Sequence, residues 1–469
     1  MKHTRILILG GGFGGVYTAL HLDRVFARDA SVEVTLVSAE NFLLFTPMLH
    51  EVAASALDPS DIVSPLRQMF RRVQLLEAEV QHIDLPARRV VVTYGPSRRL
   101  RDLEYDHLVI ATGSEDNFFG NAELAARAQT MKTLTDALLL RNRVIALLED
   151  AILETDAERR RAMLTFVTAG GGFAGVEVIG AINDFVRAAL RWYPNIRAEE
   201  IRVVLVHPKE VVLPELGEAL GRYAQKKLME RGVEVLFSTE VLAYSGGRVT
   251  FSKGEPIPAA TLIWTGGVKP GKLIEELAVP KENHRLKVNE FLALPENPGV
   301  WALGDCASAI DSGTGRPFPT TAQHAVRQGR TVAYNIAAVV RGNQPIAFRF
   351  KTLGQLAAIG HRAGVAQVFG VRFSGLPAWF MWRTIYLMKL PRLQKKIQVA
   401  LHWTADLFFS HDLTHILTVR GVEKAMRVLE EDKATMIGSA YAVAATEVRP
   451  VPPHSPALRI AAGGDDKAA

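Results

Sequence analysis

Cysteine is almost absent from this chain: among 469 residues, Cys306 is the only one. A single cysteine cannot form an intramolecular disulfide, a Cys-x-x-Cys redox pair or a metal site made of cysteines alone. Enzymes that pass electrons through paired cysteines are therefore disfavoured, and the composition fits a reducing compartment. We interpret Cys306 as a small packing residue, and we expect no metal site.

Long apolar runs are missing as well. No stretch of the chain reaches the roughly 18 consecutive apolar residues that a membrane-spanning helix needs, so we expect none. The formal net charge is +6, which permits contact with an anionic membrane or with nucleic acid. Zinc-ligand spacing, an aromatic RNA-binding signature and a long basic tail are all lacking. We therefore do not expect nucleic acid among the partners.

One string of residues is present twice. Gly-Gly-Gly-Phe-x-Gly-Val occurs at Gly10–Val16 and again at Gly170–Val176, each time after a short apolar strand and before a segment with helical spacing. A strand, a glycine turn and a helix make the dinucleotide fingerprint, whose glycines allow a tight turn, close approach to a pyrophosphate and close helix packing. Two copies predict two nucleotide sites whose cofactors pass electrons face to face. The predicted binding residues are Gly10, Gly12, Phe13, Gly14 and Gly15 in the first loop and Gly170, Gly172, Phe173 and Gly175 in the second.

Strands alternate with helices through most of the chain, which predicts parallel sheets with right-handed crossovers. Helices are expected at about residues 14–28 and at Met131–Leu153. Further strands are expected at Val32–Val37, Tyr105–Gly113, Ile201–Val206, Val233–Phe237, Thr261–Gly267 and Val300–Cys306. The predicted fold is α/β, with two Rossmann-like dinucleotide-binding domains plus a C-terminal amphipathic helical membrane-anchoring region. Strand ends add these candidate binding residues: Ala111, Thr112, Gly113, Gly266, Gly267, Gly304 and Asp305.

The residues at the ends of the second strands bear on nucleotide choice. In many dinucleotide-binding units an acid at this place binds the ribose hydroxyls. The first unit has Ser38 there, with Glu40 two residues on, and the second has His207, followed shortly by Lys209. Ser38 is still able to hydrogen-bond a ribose. Because His207 replaces the acid and Lys209 is available to a 2′-phosphate, we expect weak selection between NADH and NADPH.

Two acids each allow two interpretations. Asp305 follows a hydrophobic strand, where it either accepts hydrogen bonds from a sugar-alcohol chain or is a turn or helix cap. Glu177 lies just after the second glycine loop, where it either contacts a nicotinamide or is a favourable charge at the positive end of a helix. Their local sequence leaves both alternatives open.

The C-terminal part changes character. Residues 376–410 combine aromatic and aliphatic side chains with basic residues, and Asp406 is the only acid between positions 370 and 410. Amphipathic helices of this kind lie on membrane surfaces, with their basic residues near an anionic leaflet. Alternatively, the aromatic residues form a core or an interface between two copies, which leaves a homodimer open. The proline-rich and polar residues beyond predict a disordered tail at 436–469.

Together these features resemble the two-dinucleotide-binding flavoproteins and, within them, the type II NADH:quinone dehydrogenases. The resemblance covers roughly residues 4–430 and rests on the glycine loops and on four further stretches. Those stretches are Asn41–Leu49, Met131–Ala137, Ala322–Gly329 with its Ala-Gln-x-Ala-x-x-Gln pattern, and Ile359–Ala363. The implied domains are an FAD-binding domain in two parts (1–118 and 291–350), an NAD(P)H-binding domain (119–290) and a membrane-associating region (351–435).

The resemblance also implies roles for the candidate residues. FAD would occupy the first loop, with Thr46 and Pro47 near its isoalloxazine ring and Asp305 on its ribityl chain. NADH, or NADPH, would occupy the second loop, with Glu177 near the nicotinamide.

The resemblance places Ala322 and Gln323 beside the flavin where a quinone approaches, so that Glu177 and Gln323 are the implied catalytic residues. The family pattern assigns no role to His324 or Arg327.

The implied activity is hydride transfer from NADH to FAD and then two-electron transfer to a membrane quinone, without proton pumping. The implied location is peripheral, on the cytoplasmic face of the cell membrane. One alternative is a soluble NAD(P)H:acceptor flavin oxidoreductase of the ferredoxin-reductase kind, against which the exposed aromatic and basic segment argues. Another is a flavin redox sensor with slow turnover, which a turnover assay would distinguish.

Overall fold

The computed structural model describes residues 3–410 and 412–416. The predicted disordered tail at 436–469 lies outside the described residues, and so does the end of the predicted membrane-associating region, 417–435. Within the described part the α-helices are α1 Phe13–Val25, α2 Leu49–Ala53, α3 Ala122–Arg127, α4 Leu134–Leu153, α5 Ala157–Met163, α6 Phe173–Ala189, α7 Glu218–Glu230, α8 Lys272–Glu275, α9 Ala322–Val340, α10 Leu376–Lys389 and α11 Leu393–Ala405.

The strands of the described part follow in chain order. The first thirteen are β1 Thr4–Leu9, β2 Val32–Ser38, β3 Phe42–Leu44, β4 Val63–Pro65, β5 Gln74–Glu77, β6 Glu79–Asp84, β7 Arg89–Tyr94, β8 Arg99–Glu104, β9 His107–Ile110, β10 Glu115–Asp116, β11 Thr165–Ala169, β12 Arg202–His207 and β13 Val233–Phe237. The remainder are β14 Val241–Ser245, β15 Arg248–Phe251, β16 Ile257–Pro258, β17 Thr261–Trp264, β18 Val268–Lys269, β19 Lys281–Glu282, β20 Arg285–Lys287, β21 Val300–Ala302, β22 Ala307–Ser308, β23 Gly354–Ala358, β24 Gly364–Val368 and β25 Val371–Ser374.

The first large sheet has the order β21-β9-β1-β2-β5, and all its strands are parallel. Strand β1 lies between β9 and β2, so later strands are added to the sheet on both sides of β1 and the strand order reverses there. Ligands bind at such a switch point, outside the carboxyl ends of the strands. The segments that follow β1, β9 and β21 meet at this edge, which brings the first glycine loop together with residues 111–113 and 304–305.

The second large sheet repeats this plan with the parallel order β13-β12-β11-β17. Strand β11 has the central place that β1 has in the first sheet, and the second glycine loop follows it. The end of β12 at His207 and the turn after β17 lie at the same edge. The two predicted Rossmann-like units are therefore confirmed as sheets. The exact domain boundaries stay a prediction.

The C-terminal part forms an antiparallel sheet, β23-β24-β25, followed by α10 and α11. Trp382 of α10 and Trp403 of α11 are buried in the same hydrophobic core as residues of α4 and α6. Phe380 and Leu401 lie on the opposite, exposed side of these helices. The aromatic and aliphatic residues of the predicted membrane-associating segment therefore form two groups. One group packs in the core, and the other faces outward.

Two predicted helices have different bounds in the structure. Helix α4 begins at Leu134 rather than Met131, because Thr133 forms a capping box in which the amide of Asp136 donates to the Thr133 hydroxyl at 3.1 Å. Helix α1 ends at Val25 rather than residue 28. The predicted strands β2, β9, β12, β13, β17 and β21 are confirmed, with ends that differ by a few residues.

Candidate functional site

The first glycine loop needs two of its glycines for its own construction. Gly10 has φ +112°, a conformation that L side chains rarely adopt, and an added Cβ would collide with the carbonyl of Ala111. A Cβ on Gly15 would collide with the carbonyl of Gly10. A Cβ on Gly12, in contrast, meets nothing within 4 Å. The protein itself therefore leaves open space at Gly12, which is where the fingerprint brings backbone against a pyrophosphate.

The second glycine loop has the same construction. Gly170 has φ +109°, and its added Cβ would lie 2.7 Å from the carbonyl carbon of Thr265. A Cβ on Gly175 would collide with the carbonyl of Gly170, while Gly172 again has nothing within 4 Å. The Thr265 hydroxyl donates to the carbonyls of Ala169 and Gly170 and fixes the start of the loop. Both loops are thus built with an open place at the same position of the fingerprint.

The strand-end side chains Ser38 and His207 lie behind these loops. The Ser38 hydroxyl donates to the carbonyl of Glu40 at 2.6 Å, and an added Cβ on Gly11 would collide with it. Nδ1 of His207 accepts a hydrogen bond of 3.0 Å from the amide of Gly171. Burial lowers the pKa of His207, so the ring is neutral at pH 7 and supports the loop rather than carrying charge. Lys209, two residues on, is exposed.

Asp305 belongs to a small polar network beside the first loop. Its Oδ2 accepts a hydrogen bond of 3.0 Å from Ser114, whose hydroxyl in turn accepts one of 2.6 Å from Nζ of Lys132. Asp305 lies within the short helical turn at 304–306, as the turn alternative predicted, but its carboxylate does not cap that turn, so the cap alternative is wrong. Burial lowers the pKa of Lys132, and the charge of Asp305 acts against that shift. The position of Gly304 is fixed by its amide, which donates to Oε1 of Gln328 at 2.8 Å.

Lys132, Ser114 and Gln328 were not among the candidate residues. Lys132 and Gln328 lie within Met131–Ala137 and Ala322–Gly329, two of the stretches that carry the resemblance. Their place in these stretches was the sequence signal that could have identified them. Ser114 had no such signal, because it meets Asp305 across 191 positions of sequence.

The start of α9 connects the first sheet to the C-terminal sheet. Ala322 is its first residue, and Nε2 of Gln323 donates to the carbonyl of Gly354 at 3.1 Å. His324 is buried, with Nδ1 2.7 Å from the Thr321 hydroxyl, and burial lowers its pKa to about 4.

Arg327, one turn further along α9, stacks over the ring of Phe350 at 4.2 Å. The ring of His324 packs edge-on against the same phenylalanine, at 5.1 Å between centroids. His324 and Arg327, to which the family pattern assigns no role, therefore pack against Phe350 in the segment between α9 and β23.

The predicted residues Thr46 and Pro47 form a short helical turn before α2. Thr46 is exposed, and Pro47 is half-buried. Phe45, just before them, packs edge-on against Phe13 of the first loop at 5.8 Å and against Tyr386 of α10 at 6.1 Å. This turn therefore lies between the first glycine loop and the C-terminal helices.

Glu177 is buried and points away from the helix end. It lies beyond the first turn of α6, and its Oε1 accepts hydrogen bonds from the amide of Ala358 at 3.2 Å and from Nε1 of Trp382 at 3.0 Å. The interpretation as a charge at the positive helix end is therefore wrong. Burial raises the pKa of Glu177 to about 8, so at neutral pH the carboxyl is able to hold a proton.

Comparisons with known proteins agree with this geometry. Residues 4–329 match the family "Pyridine nucleotide-disulphide oxidoreductase", and residues 353–412 match the family "NDH2 C-terminal domain". Among solved structures, NDH2 from Plasmodium falciparum in complex with NADH has a TM-score of 0.82 at 20% identity, over 88% of this chain and 100% of that chain. The fold and the paired loops thus define the pyridine nucleotide-disulphide oxidoreductase class.

Sequence relatives give the family within that class. The type II NADH:quinone oxidoreductase Ndh of Mycobacterium tuberculosis is 31% identical over 95% of this chain and 96% of its own length. The type II NADH:quinone oxidoreductase NdhA of the same organism is 34% identical over 85% of this chain and 86% of its own length. The chain belongs to the type II NADH:quinone oxidoreductase family, which confirms the resemblance seen in its sequence.

Gly12 and Gly15 should differ when each is changed to alanine. Gly15→Ala should lower the free energy of unfolding by about 1–3 kcal/mol, because the new Cβ overlaps the carbonyl of Gly10. Gly12→Ala should leave the stability of the flavin-free protein unchanged and reduce the amount of bound flavin. Denaturant unfolding and flavin absorbance per chain measure the two effects. If Gly12→Ala destabilised the flavin-free chain as strongly as Gly15→Ala, the open place at Gly12 would not be a ligand site.

Proposed function

We propose that this protein is a peripheral membrane enzyme that transfers a hydride from NADH to FAD and then two electrons to a membrane quinone, without proton pumping. The observation that carries the proposal is the matched pair of glycine loops in a member of this family. Each loop is closed by its own glycines and leaves open space at Gly12 or Gly172. Two dinucleotides in one chain provide the electron donor and the relay that such a reaction needs.

FAD is the proposed occupant of the first loop. The open place at Gly12 fits a pyrophosphate, and the half-buried carboxylate of Asp305 beside it suits a chain of hydroxyl groups. FAD supplies the hydride acceptor when it is bound. The chain's own contribution is placement: Gln328 fixes the backbone at Gly304, and Lys132 with Ser114 holds the Asp305 carboxylate.

NADH is the proposed occupant of the second loop, with Glu177 on the helix that the loop begins. Both Mycobacterium relatives are NADH:quinone oxidoreductases, and the Plasmodium protein was solved in complex with NADH. His207 is not an acid that binds ribose hydroxyls, and burial lowers its pKa, so at neutral pH it supplies no positive charge for a 2′-phosphate. The exposed Lys209, two residues after His207, carries a positive charge that favours the 2′-phosphate of NADPH. We therefore propose that the protein selects NADH over NADPH only weakly.

A quinone is the proposed second substrate, with its site near Ala322 and Gln323. These residues begin α9, whose later residue Gln328 fixes Gly304 beside the proposed flavin site. Gln323 is half-buried and also contacts the C-terminal sheet through Gly354. A quinone that leaves the bilayer along α10 and α11 would therefore reach the flavin at this end of α9.

The outer face of α10 and α11 is the proposed membrane surface. Its large apolar side chains, and two that follow α11, are each more than half exposed: Leu376, Phe380, Met388, Leu393, Ile397 and Leu401 on the helices, and Phe408 and Phe409 just after α11. So many apolar residues on one side of a protein mark an interaction surface, and the basic side chains along the same helices favour an anionic leaflet. In the described part of the chain, none of the helices has the length and apolarity needed to cross a membrane. We propose the cytoplasmic face of the cell membrane as the location, and a homodimer through this face is the alternative.

Gln323→Leu should slow the reoxidation of reduced flavin by quinone and spare the reduction of flavin by NADH. The reason is that Gln323 lies at α9, whereas the proposed nucleotide loop follows β11. Stopped-flow absorbance measures the two half-reactions separately. Gln81→Leu, an exposed glutamine in β6 that also makes one side-chain hydrogen bond, is the control and should alter neither. Equal slowing of both half-reactions by Gln323→Leu would contradict separate sites.

Lys209→Glu should raise the preference for NADH over NADPH, since it replaces an exposed positive charge near the second loop by a negative one. We expect a change of roughly fivefold in the ratio of kcat/KM values, the size of an exposed charge effect. Lys253→Glu makes the same change of charge at another exposed position and should leave the ratio unaltered. If the wild type already rejected NADPH by roughly a hundredfold or more, the argument from His207 and Lys209 would fail.

Leu393→Glu should weaken binding to vesicles of anionic lipid by roughly tenfold, because it puts a negative charge into the proposed membrane face. Leu100→Glu is a matched control, since Leu393 is 73% and Leu100 is 69% exposed and Leu100 lies on β8. Sedimentation with vesicles measures binding, and light scattering measures the oligomeric state. A variant that dissociates a dimer but still sediments would assign the face to a second copy of the chain instead.

A further inference from the structure

Helix α2 carries two adjacent buried polar side chains, His50 and Glu51, that the proposed reaction does not use. They are 7% and 9% exposed. Buried carboxyls and imidazoles are uncommon unless partners within the protein compensate the loss of water. Their partners therefore indicate what the pair does.

Glu51 is bound by α11 and lies near a cation of α10. Its Oε2 accepts a hydrogen bond of 2.9 Å from Nε1 of Trp403. The guanidinium of Arg383 stacks between the rings of Trp403 at 4.6 Å and Trp379 at 4.2 Å, and its charge acts on Glu51. Asp406, just after α11, adds a negative charge that acts on Glu51 in the opposite direction.

Glu177 is bound by α10 in the corresponding way. Its Oε1 accepts from Nε1 of Trp382, and its Oε2 lies 3.9 Å from Nδ1 of His50. The His50 ring packs edge-on against Trp382 at 5.4 Å between centroids. Tyr386, one turn further along α10, also interacts electrostatically with Glu177.

The two carboxyls thus lie in one cluster. Each accepts an indole N–H, one from α10 and one from α11, and the rings of Trp382 and Trp403 are 6.3 Å apart. His50 lies next to Glu51 along α2 and faces Glu177 across the cluster. The charge of Glu51 acts on Glu177, and both acids depend on the placement of the C-terminal helices through their indole donors.

Two carboxylates in one buried cluster repel each other, and neither is well solvated. Burial raises the pKa of Glu51 to about 7 and that of Glu177 to about 8, and the charge of Glu51 adds to the shift at Glu177. Burial lowers the pKa of His50 to about 3, so His50 stays neutral and does not compensate a carboxylate. Arg383 and the two indole donors act in the other direction.

We propose that Glu51 is a positioning residue that forms one coupled acid pair with Glu177. Through this pair, the charge of Glu177 depends on the position of α10 and α11. The proposal rests on the proposed function, in which Glu177 lies beside the nicotinamide and α10 and α11 carry the membrane face. When α11 moves away, Glu51 loses the hydrogen bond from Trp403 that favours its charged form. The negative charge that acts on Glu177 then becomes smaller. Helix α2 thereby connects α10 and α11, which carry the proposed membrane surface, to α6, which begins at the second glycine loop.

The pair makes stability depend on pH in a defined direction. A carboxyl whose pKa is raised on folding, from 4.5 to about 7 for Glu51, stabilises the fold fully below pH 4.5 and loses that contribution as the pH rises through its folded value. Limited proteolysis within α10 and α11 should therefore become faster as the pH rises through this range. Glu51→Gln keeps an acceptor for Trp403 and cannot ionise, so it should reduce this pH dependence.

Difference infrared spectroscopy of the carboxyl bands, recorded during a pH titration of the flavin-bound protein, tests the pair without any turnover. The wild type should show two buried carboxyls that titrate near neutral pH. In Glu51→Gln, the remaining band should titrate at lower pH than Glu177 does in the wild type, because a neighbouring negative charge has been removed. In Glu177→Gln, the band of Glu51 should stay nearly where it is, because Glu51 loses its proton while Glu177 is still protonated and uncharged.

A lower titration pH of Glu177 in Glu51→Gln supports the pair, and Glu51→Ala gives the same readout if that variant does not fold. A Glu177 band that titrates unchanged in such a variant would overturn the coupling. Asp23→Asn provides a control, since Asp23 is a buried acid on α1 that accepts hydrogen bonds from the amides of Arg71 and Arg72 and is not part of the cluster. Its removal should leave both bands in place. Failure of NADH oxidation in a protein whose Glu177 band still responds to Glu51→Gln would refute the proposed function and not the pair.

Discussion

The arrangement of the molecule depends on the hydrogen bonds that the buried carboxyl of Glu177 accepts from Ala358 and Trp382. They join α6, which begins at the second glycine loop, to β23 and α10 of the C-terminal part. The same hydrophobic core continues through α2, α4 and α11. Because leaving a buried carboxyl without donors is costly, these bonds hold the C-terminal part against the half of the chain that carries the second glycine loop. They also determine where the apolar outer face of α10 and α11 lies relative to the glycine loops in this structure.

The two glycine loops are alike in backbone and differ in the residues behind them. In each, the first and last glycines are required by close backbone contacts and the middle one faces open space. Ser38 supports the first loop and His207 supports the second, each through a strand-end side chain that an added Cβ on the loop would meet. The strand-end side chain behind the second loop is thus occupied with the loop itself, and the exposed Lys209 follows two residues further on.

Local sequence patterns were enough for much of the fold. The glycine loops, the parallel strands and α1 follow from spacing and turn chemistry, and the start of α4 could have been predicted from the Thr133 and Asp136 capping box. The environment of Glu177 could not be predicted in this way, because its partners lie 181 and 205 positions away. The C-terminal aromatic residues are a similar case. Composition indicates an amphipathic surface, but only packing shows that Trp382 and Trp403 face inward while Phe380 and Phe408 face outward.

The most direct test of a two-dinucleotide relay is the visible absorption spectrum of the purified protein under anaerobic conditions. Addition of NADH should bleach a flavin band completely at one NADH per bound flavin, and subsequent addition of a quinone should restore it. The proposal predicts that FAD is released on denaturation, because the proposed site at the first loop involves no covalent bond. A protein that binds no flavin, or a flavin that NADH reduces and quinone does not reoxidise, would contradict the proposed relay.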